Sequence, residues 1–439
     1  MALKEFELKR LGEQVVKSML IGRKKNEVGL ARSERRFKGL RRFVEENDGK
    51  QFSDKELEGK GINAKKLALL SKPDNGPLLI KRGNKWVVRA TMGEMVRLVY
   101  HPDNWQLAKQ IILAASRKGA NVAAVPRSSA FDRELVAASP LSKLEDFPSA
   151  VKATLENIDV TIYLECEEDP EWKRGLSAVK LGAGQANGMR AHEILDDRKV
   201  RWLVLGWPFP ETARSYLVKP AVFEAMMFAS LKESFSPSTR KLVEYYRKAL
   251  DGGDRVRITH EDGTDVSFSI KGRPMLVDLG LLTQAELDAG DVGLNIPSGE
   301  AFCAPVEGSA EGKIFFPRIH VHGHGFVDGL WLFFEKGRVA RWTAKRNGVH
   351  FEKYLAENTP STRVLAELGI GCNRAAKLTG YILTDEKIAG TIHLAIGNNT
   401  GSYHGKNKAS GHLDMVKDMA HGLMVADGRV VMKGGWPVR

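Results

Sequence analysis

Six residues between positions 300 and 414 are of the types that hold divalent cations: Glu300, Glu367, Glu386, His393, His412 and Asp414. Nine of the eleven histidines fall after residue 254. The clearest local arrangement is His412-Leu413-Asp414. In a strand, residues i and i+2 face the same way, so an imidazole and a carboxylate would stand side by side with Leu413 turned to the core. Glu386 and His393 flank Ala389 and Gly390, small residues that let backbone approach closely. Glu300 follows a turn-like Pro297-Ser298-Gly299, and Glu367 precedes the glycine-spaced Leu368-Gly369-Ile370-Gly371. Four carboxylates and two imidazoles suffice for two divalent ions, and a pair of ions about 3.5–4 Å apart can clamp a polarised carbonyl and activate water. A histidine two residues from an aspartate is common, however, and acids on solvated loops would give the same spacings.

The elements that must position these residues come in two kinds. Apolar runs Met95–Tyr100, Val122–Val125, Val160–Leu164 and Val200–Leu205 alternate with helical stretches, one opened by Pro102 and stopped by Gly119, another over Leu144–Leu155. That alternation predicts βαβ units and a parallel sheet. No glycine-rich nucleotide-binding signature accompanies it. A long amphipathic helical stretch, Ala221–Leu250, ends at Gly252-Gly253. Beyond it the pattern is strand-rich: 256–259, 266–270, 314–316, 320–324, 329–335 and 338–343. The expected organisation is α/β: a helical extension of unassigned role over 1–84, a parallel-sheet α/β domain over 85–251, and a strand-rich α+β metal-binding catalytic domain over 252–439.

The chain has 439 residues and three widely spaced cysteines, Cys166, Cys303 and Cys372, with no CxxC pair, so a disulfide framework or zinc knuckle is not expected. No apolar leader and no run of about 18 apolar residues is present, and a cytoplasmic protein without membrane contact is the expectation. The formal net charge is +13. Basic residues are not interleaved with aromatics as in RNA-binding sheets, so the charge reads as solvated surface, with no nucleic-acid partner.

Several segments resemble one family in order. Asn295 to Pro305 (NIPSGEAFCAP) resembles the NIPxGExFxAP motif of the aminopeptidase T, aminopeptidase S and PepS metallo-aminopeptidases. Gly263 to Arg273 resembles its GTDLxFxxxGR strand, Glu367 to Gly371 its acid-bearing strand, Asp385 to His393 its DEKxxGxxH segment, and His412 to Asp414 its closing HxD. The resemblance spans about residues 90–439 and leaves 1–84 outside. It implies a two-metal site of zinc, cobalt or manganese on Glu300, Glu367, Glu386, His393, His412 and Asp414. In it Glu367 bridges and Glu300 serves as general base, and the chain forms a homodimer acting on small peptides.

One position departs from the family. The tyrosine expected seven residues after His393, a candidate oxyanion stabiliser, is replaced by Thr400; Tyr403, His404 or Lys406 could stand in for it. His320, His322 and His324 alternate and, with Arg318, would share one face of a strand as a basic patch for an anionic group. Both features are compatible with a non-peptide, aromatic substrate. The chain is also similar to 5-nitroanthranilate aminohydrolase, a hydrolytic deaminase for which one metal per chain would be expected. It resembles less well the iron-dependent 2,5-dihydroxypyridine dioxygenase, which has histidine where Glu367 stands.

Overall fold

The computed structural model describes residues 3–20, 23–25, 27–72, 78–89, 91–283, 286–287 and 292–438. The four apolar runs of the first half become parallel strands, Met95–Tyr100, Asn121–Pro126, Val160–Leu164 and Arg201–Leu205. Their inward residues Val96, Leu98, Ile162, Leu203 and Leu205 pack with Leu107 and Ile111 of the helix Trp105–Arg117. A fifth parallel strand comes from far along the chain: Gly293–Ile296 pairs alongside Arg201–Leu205 and closes that edge of the sheet.

The second half contains two antiparallel sheets. One has eight strands and includes the long pair Glu311–Val321 and Gly325–Glu335. The other, which carries the candidate site, has the order Leu276–Asp278, Glu300–Cys303, Leu365–Gly371, Thr391–Gly397, His412–Asp418. A continuous apolar core joins the two. Ile258, Phe268, Phe316 and Leu332 of the first meet Leu368, Ile370, Leu394 and Met415 of the second. The strands 365–371 and 391–397 are buried along their whole length, so both faces are under packing constraint.

The fold is mixed α/β, with a parallel sheet followed by strand-rich structure, but the chain does not change halves at a single point. The expected boundary at residue 251 is crossed twice. The helix Pro237–Leu250 contributes Leu242, Val243 and Tyr246 to the antiparallel core, and Gly293–Ile296 returns to the parallel sheet. The long helical stretch expected over 221–250 is two helices, Pro220–Glu233 and Pro237–Leu250, because Pro237 lacks the amide hydrogen needed to continue the first. The Leu144–Leu155 helix is likewise split ahead of Ser149 by Pro148.

Residues 1–84 are more than a helical extension. The helix Glu5–Met19 packs Val15, Val16 and Met19 into the parallel-sheet core, and Arg201 reaches both the Met19 carbonyl and Glu94. Residues 27–89 build a separate small core with their own three-stranded sheet. Among the described residues no helix is long and apolar enough to cross a membrane.

Candidate metal centre

Strand geometry puts five of the six candidate ligands on one face of the five-stranded sheet. Glu300 opens its strand, while Ala301 and Cys303 turn to the core. Glu367 and Gly369 alternate with the core residues Leu368 and Ile370; His393 alternates with Ile392 and Leu394; His412 and Asp414 flank Leu413. Glu386 arrives from a loop, just after the short helix Ile382–Asp385. Gly369 pairs directly with His393, and a Cβ there would lie 2.0 Å from the imidazole Cε1, so only glycine leaves the ring its place. Gly371 does the same for the loop, because a Cβ there would strike the Ile388 carbonyl at 2.1 Å.

The six side chains converge as two groups of three: Glu300, Glu386 and His393, and Glu367, His412 and Asp414. Within each group the donor atoms all lie within 4.8 Å of one another. Glu367 joins the groups, with one carboxylate oxygen 3.3 Å from His393 Nε2 and the other 3.2 Å from His412 Nε2. His412 Nε2 is also 3.3 Å from Asp414 Oδ1, and His393 Nε2 is 3.8 Å from Glu300 Oε2. His412 Nδ1 donates to the Asn398 carbonyl at 2.7 Å, which fixes the tautomer and leaves Nε2 free to coordinate.

The donor set fits divalent cations. Glu300 Oε2, His412 Nε2 and Asp414 Oδ1 are buried with no hydrogen-bond partner, and such atoms are costly unless something satisfies them. Charge points the same way. Burial pushes the Glu300 carboxyl up to about 8, even with Lys387 beside it, and burial also raises Glu386. Burial works to raise Glu367 as well, but the two imidazoles against it, His393 and His412, outweigh burial and hold the group down to about 2. His393 and His412 show the reverse. Burial would lower them, yet their carboxylate neighbours push His393 up to about 9 and raise His412. The cluster is rich in negative charge and short of positive charge.

Sequence reasoning missed Lys387. Its side chain is fully buried, and its ammonium contacts Glu300 Oε1, lies 2.8 Å from Glu386 Oε1 and 3.6 Å from Asp278 Oδ2. It therefore holds one oxygen of each glutamate and turns the other toward the site. The signal was its place beside Glu386, but a lysine in a loop reads as exposed unless its burial is known. Arg273, the last residue of the GTDVSFSIKGR segment, was likewise given no role. It pairs with Glu307 and donates to the His404 carbonyl at 2.7 Å, while Glu307 accepts from the Asn399 side chain and the Lys406 amide. The turn carrying Tyr403 is pinned in this way.

Tyr403 lies in the site. Its ring stacks on His412, centroids 5.1 Å apart at 23°, with Phe302 edge-on to it. Thr400 instead bonds locally to Asn398. The backbone of His404 and Lys406 ties this loop down: the His404 carbonyl accepts from Arg273 and the Lys406 amide donates to Glu307.

The basic patch is not assembled as expected. The strand ends at Val321, so His322 and His324 sit in the turn before Gly325 and do not share a face with His320. They bind elsewhere, His322 to Glu167 at 3.3 Å and His324 to Glu357 at 2.9 Å. Arg318 and His320 do line one cavity of about 250 Å³, whose walls also include Tyr216, Phe326, Leu378 and Asp414. Arg318 is paired with Asp328 at 2.6 Å. His320 is held edge-on by Tyr216 and Phe326, and burial lowers it to about 4.

The thermophilic metalloprotease family model matches residues 78–436, which contain all six candidate ligands, Lys387 and the cavity. No curated protein matches the sequence. Among solved structures, wild-type AmpT from Thermus thermophilus superposes with a TM-score of 0.61 at 19% identity, covering 79% of this chain and 95% of that one. The 2,5-dihydroxypyridine dioxygenase from Pseudomonas putida superposes with a TM-score of 0.51 at 17% identity over 79% of this chain and 92% of that one. At those identities the two structures speak to the fold alone, whereas the family match covers most of the sequence: the chain belongs to the thermophilic metalloproteases, metal-dependent peptidases that work with divalent ions.

Proposed function

We propose that this chain is an aminopeptidase that removes N-terminal residues from short peptides with two divalent cations, zinc, cobalt or manganese, held by the two groups of three ligands. The observation that carries this reading is Glu367, whose two carboxylate oxygens reach one histidine of each group. Cations bound there would polarise the scissile carbonyl and acidify a water. Glu300 is the proposed general base: Lys387 holds Oε1, and Oε2 has no partner and faces the site. A positioned base of this kind contributes about 10²–10⁴-fold. Tyr403, whose ring stacks on His412, is the proposed hydroxyl donor to developing negative charge, while Thr400 bonds to Asn398. The cavity that Asp414 helps to line would receive the side chain or amine of the first residue.

A second reading, hydrolytic deamination of an aromatic amine, is favoured by one feature. The cavity is walled by Tyr216 and Phe326 and carries a guanidinium, a combination suited to a ring bearing an anionic group. Metal content measured together with a substrate screen separates the two. Two cations per chain with cleavage of leucine p-nitroanilide supports the peptidase, whereas one cation with ammonia release from aminobenzoates supports the deaminase. Glu367→Gln should abolish turnover and leave the melting temperature of the metal-free protein within a few degrees. Retained turnover would remove Glu367 from the chemistry.

A further inference from the structure

Residues 27–89 form a unit that peptide hydrolysis does not use. After the helices Glu27–Arg36 and Leu40–Glu46 come the strand Gln51–Phe52, the helices Asp54–Gly59 and Ala64–Leu70, and the hairpin Leu79–Arg82 with Lys85–Val88. The short strand pairs with the outgoing hairpin strand, giving the order 51–52, 85–88, 79–82. The two middle helices are joined by a turn in which Gly61 takes φ +77 and Ile62 is buried. Leu57, Ile62 and Leu70 fix this pair to the unit's own core with Leu30, Leu40 and Val44. Two helices joined by a short glycine-containing turn have the element order of a helix-turn-helix, and the hairpin is the next described element after the second helix.

Charge singles out the same unit. Residues 23–89 hold 19 Lys or Arg against 9 Asp or Glu, a surplus of 10 within a whole-chain surplus of 13. The second helix turns Ala64, Lys65 and Ala68 outward, small residues around a lysine that allow close approach. At the hairpin tip Lys81, Arg82, Gly83, Asn84 and Lys85 are all exposed. Two acids of the first helix are engaged internally, Asp54 with the Trp86 indole at 2.6 Å and Glu56 with the Ser53 cap.

We propose that residues 27–89 bind double-stranded DNA, with the helix Ala64–Leu70 entering the major groove and the hairpin around Gly83 lying along the neighbouring phosphates. The second helix of such a pair fits the major groove of B-form DNA, about 12 Å wide, whereas the major groove of A-form RNA is too narrow to admit it. Single strands are bound by stacking on exposed aromatics. Among the described residues of this unit no large hydrophobic is exposed: Trp86 is covered by Lys81 and Phe52 by Lys60. The same lack of an exposed apolar patch argues against a protein partner docking by hydrophobic contact.

The test is fluorescence anisotropy of the full chain with a labelled mixed-sequence duplex of about 24 base pairs. Four phosphate contacts, from Lys65, Lys81, Arg82 and Lys85, give a slope of log affinity against log salt of about −3.6, or about 10²-fold weakening from 50 to 200 mM. The triple variant Lys65→Glu, Arg82→Glu, Lys85→Glu should bind more than about tenfold more weakly at an unchanged melting temperature. Lys65→Ala and Lys85→Ala, too mild to unfold the unit, should each reduce the salt slope by about 1. Any of four results overturns the proposal: no binding at 50 mM salt with protein at about 100 µM, wild-type affinity in the charge variants, or displacement of the duplex as readily by duplex RNA or by polyglutamate.

Discussion

Gly369→Ala tests whether the position of one imidazole matters. Gly369 sits opposite His393 in the neighbouring strand, and its backbone is not left-handed, so alanine can adopt it without strain. The added Cβ would lie 2.0 Å from His393 Cε1 and 2.1 Å from Nε2. Carbon atoms in contact sit about 3.5 Å apart or more, so the ring must withdraw by roughly 1.5 Å. Metal–ligand distances tolerate about 0.2 Å, so a withdrawal of that size removes His393 as a donor to the group it shares with Glu300 and Glu386. Overpacking of this kind costs about 1–3 kcal/mol, which leaves the protein folded. The expected outcome is a variant with a modestly lowered melting temperature, one strongly held cation in place of two, and turnover of leucine p-nitroanilide reduced at least about 10²-fold. Equilibrium dialysis with elemental analysis reads the cation content, and calorimetry the melting temperature. Gly188→Ala is the control: that glycine lies inside the helix Ala178–Asp197 with nothing within 4 Å of an added Cβ, and should gain about 0.5–1 kcal/mol. If Gly369→Ala keeps wild-type cation content and turnover, the placement of His393 is not what the site depends on.

Lys387→Met leaves Glu300, Glu386 and Asp278 facing one another without a buried cation, and should destabilise the metal-free protein by about 3–5 kcal/mol. Adding Glu300→Gln should recover part of that loss, and strictly additive calorimetric effects would show that no ion pair was broken. His320 is lowered from 6.5 to about 4 by burial, with His322 and His350 adding repulsion, so the unfolded chain binds the proton more readily. Its contribution is therefore complete above about pH 6.5 and is lost as pH falls toward 4, amounting to about 2–3 kcal/mol. His320→Phe, which keeps the ring between Tyr216 and Phe326, should flatten the fall in melting temperature over that interval, and an unchanged acid profile would count against it. Arg273→Ala frees the turn carrying Tyr403, and should lower kcat by about tenfold with KM little changed. A change confined to KM would assign the turn to substrate binding instead.

Much of the scaffold was legible because it is local. Branched apolar runs between helices specify the strands 95–100, 160–164 and 201–205 nearly to the residue, since a strand in a sheet packed by helices is set largely by its own apolar side chains. The alternation in His412-Leu413-Asp414 gave the direction of both ligands for the same reason. The failures are non-local. That His322 and His324 leave the strand follows from where the chain turns back to pair Val321 with Gly325, which alternation cannot reveal. Burial of Lys387 follows from three carboxylates separated from it by up to 109 positions, and no local pattern encodes it. The charge of residues 23–89 was visible in the sequence, but its meaning depends on two helices and a hairpin brought together by a core of scattered leucines.

The two groups of ligands do not rest on the same support. Glu367, His412 and Asp414 belong wholly to strands of the antiparallel half, with the strand Thr391–Gly397 between Glu367 and the other two. The other group is tied to the parallel sheet. Glu300 begins its strand four residues after Gly293–Ile296 leaves that sheet, with Ser298 anchored to Ser234 at 2.8 Å on the way. Glu386 and Lys387 follow a helix whose preceding residue, Tyr381, donates to Glu165 at 2.6 Å, one position beyond the parallel strand Val160–Leu164. The carboxyl ends of parallel strands, where open α/β folds place their ligands, thus position two acids of a site built on another sheet. His393 is the exception in its group, and through Glu367 it links the two supports. Loosening the contact between the halves, as Tyr381→Phe should do, would therefore weaken the cation on Glu300 and Glu386 before the one on His412 and Asp414. The cavity between Tyr216 and His320 would open in the same motion, because its walls also come from both halves.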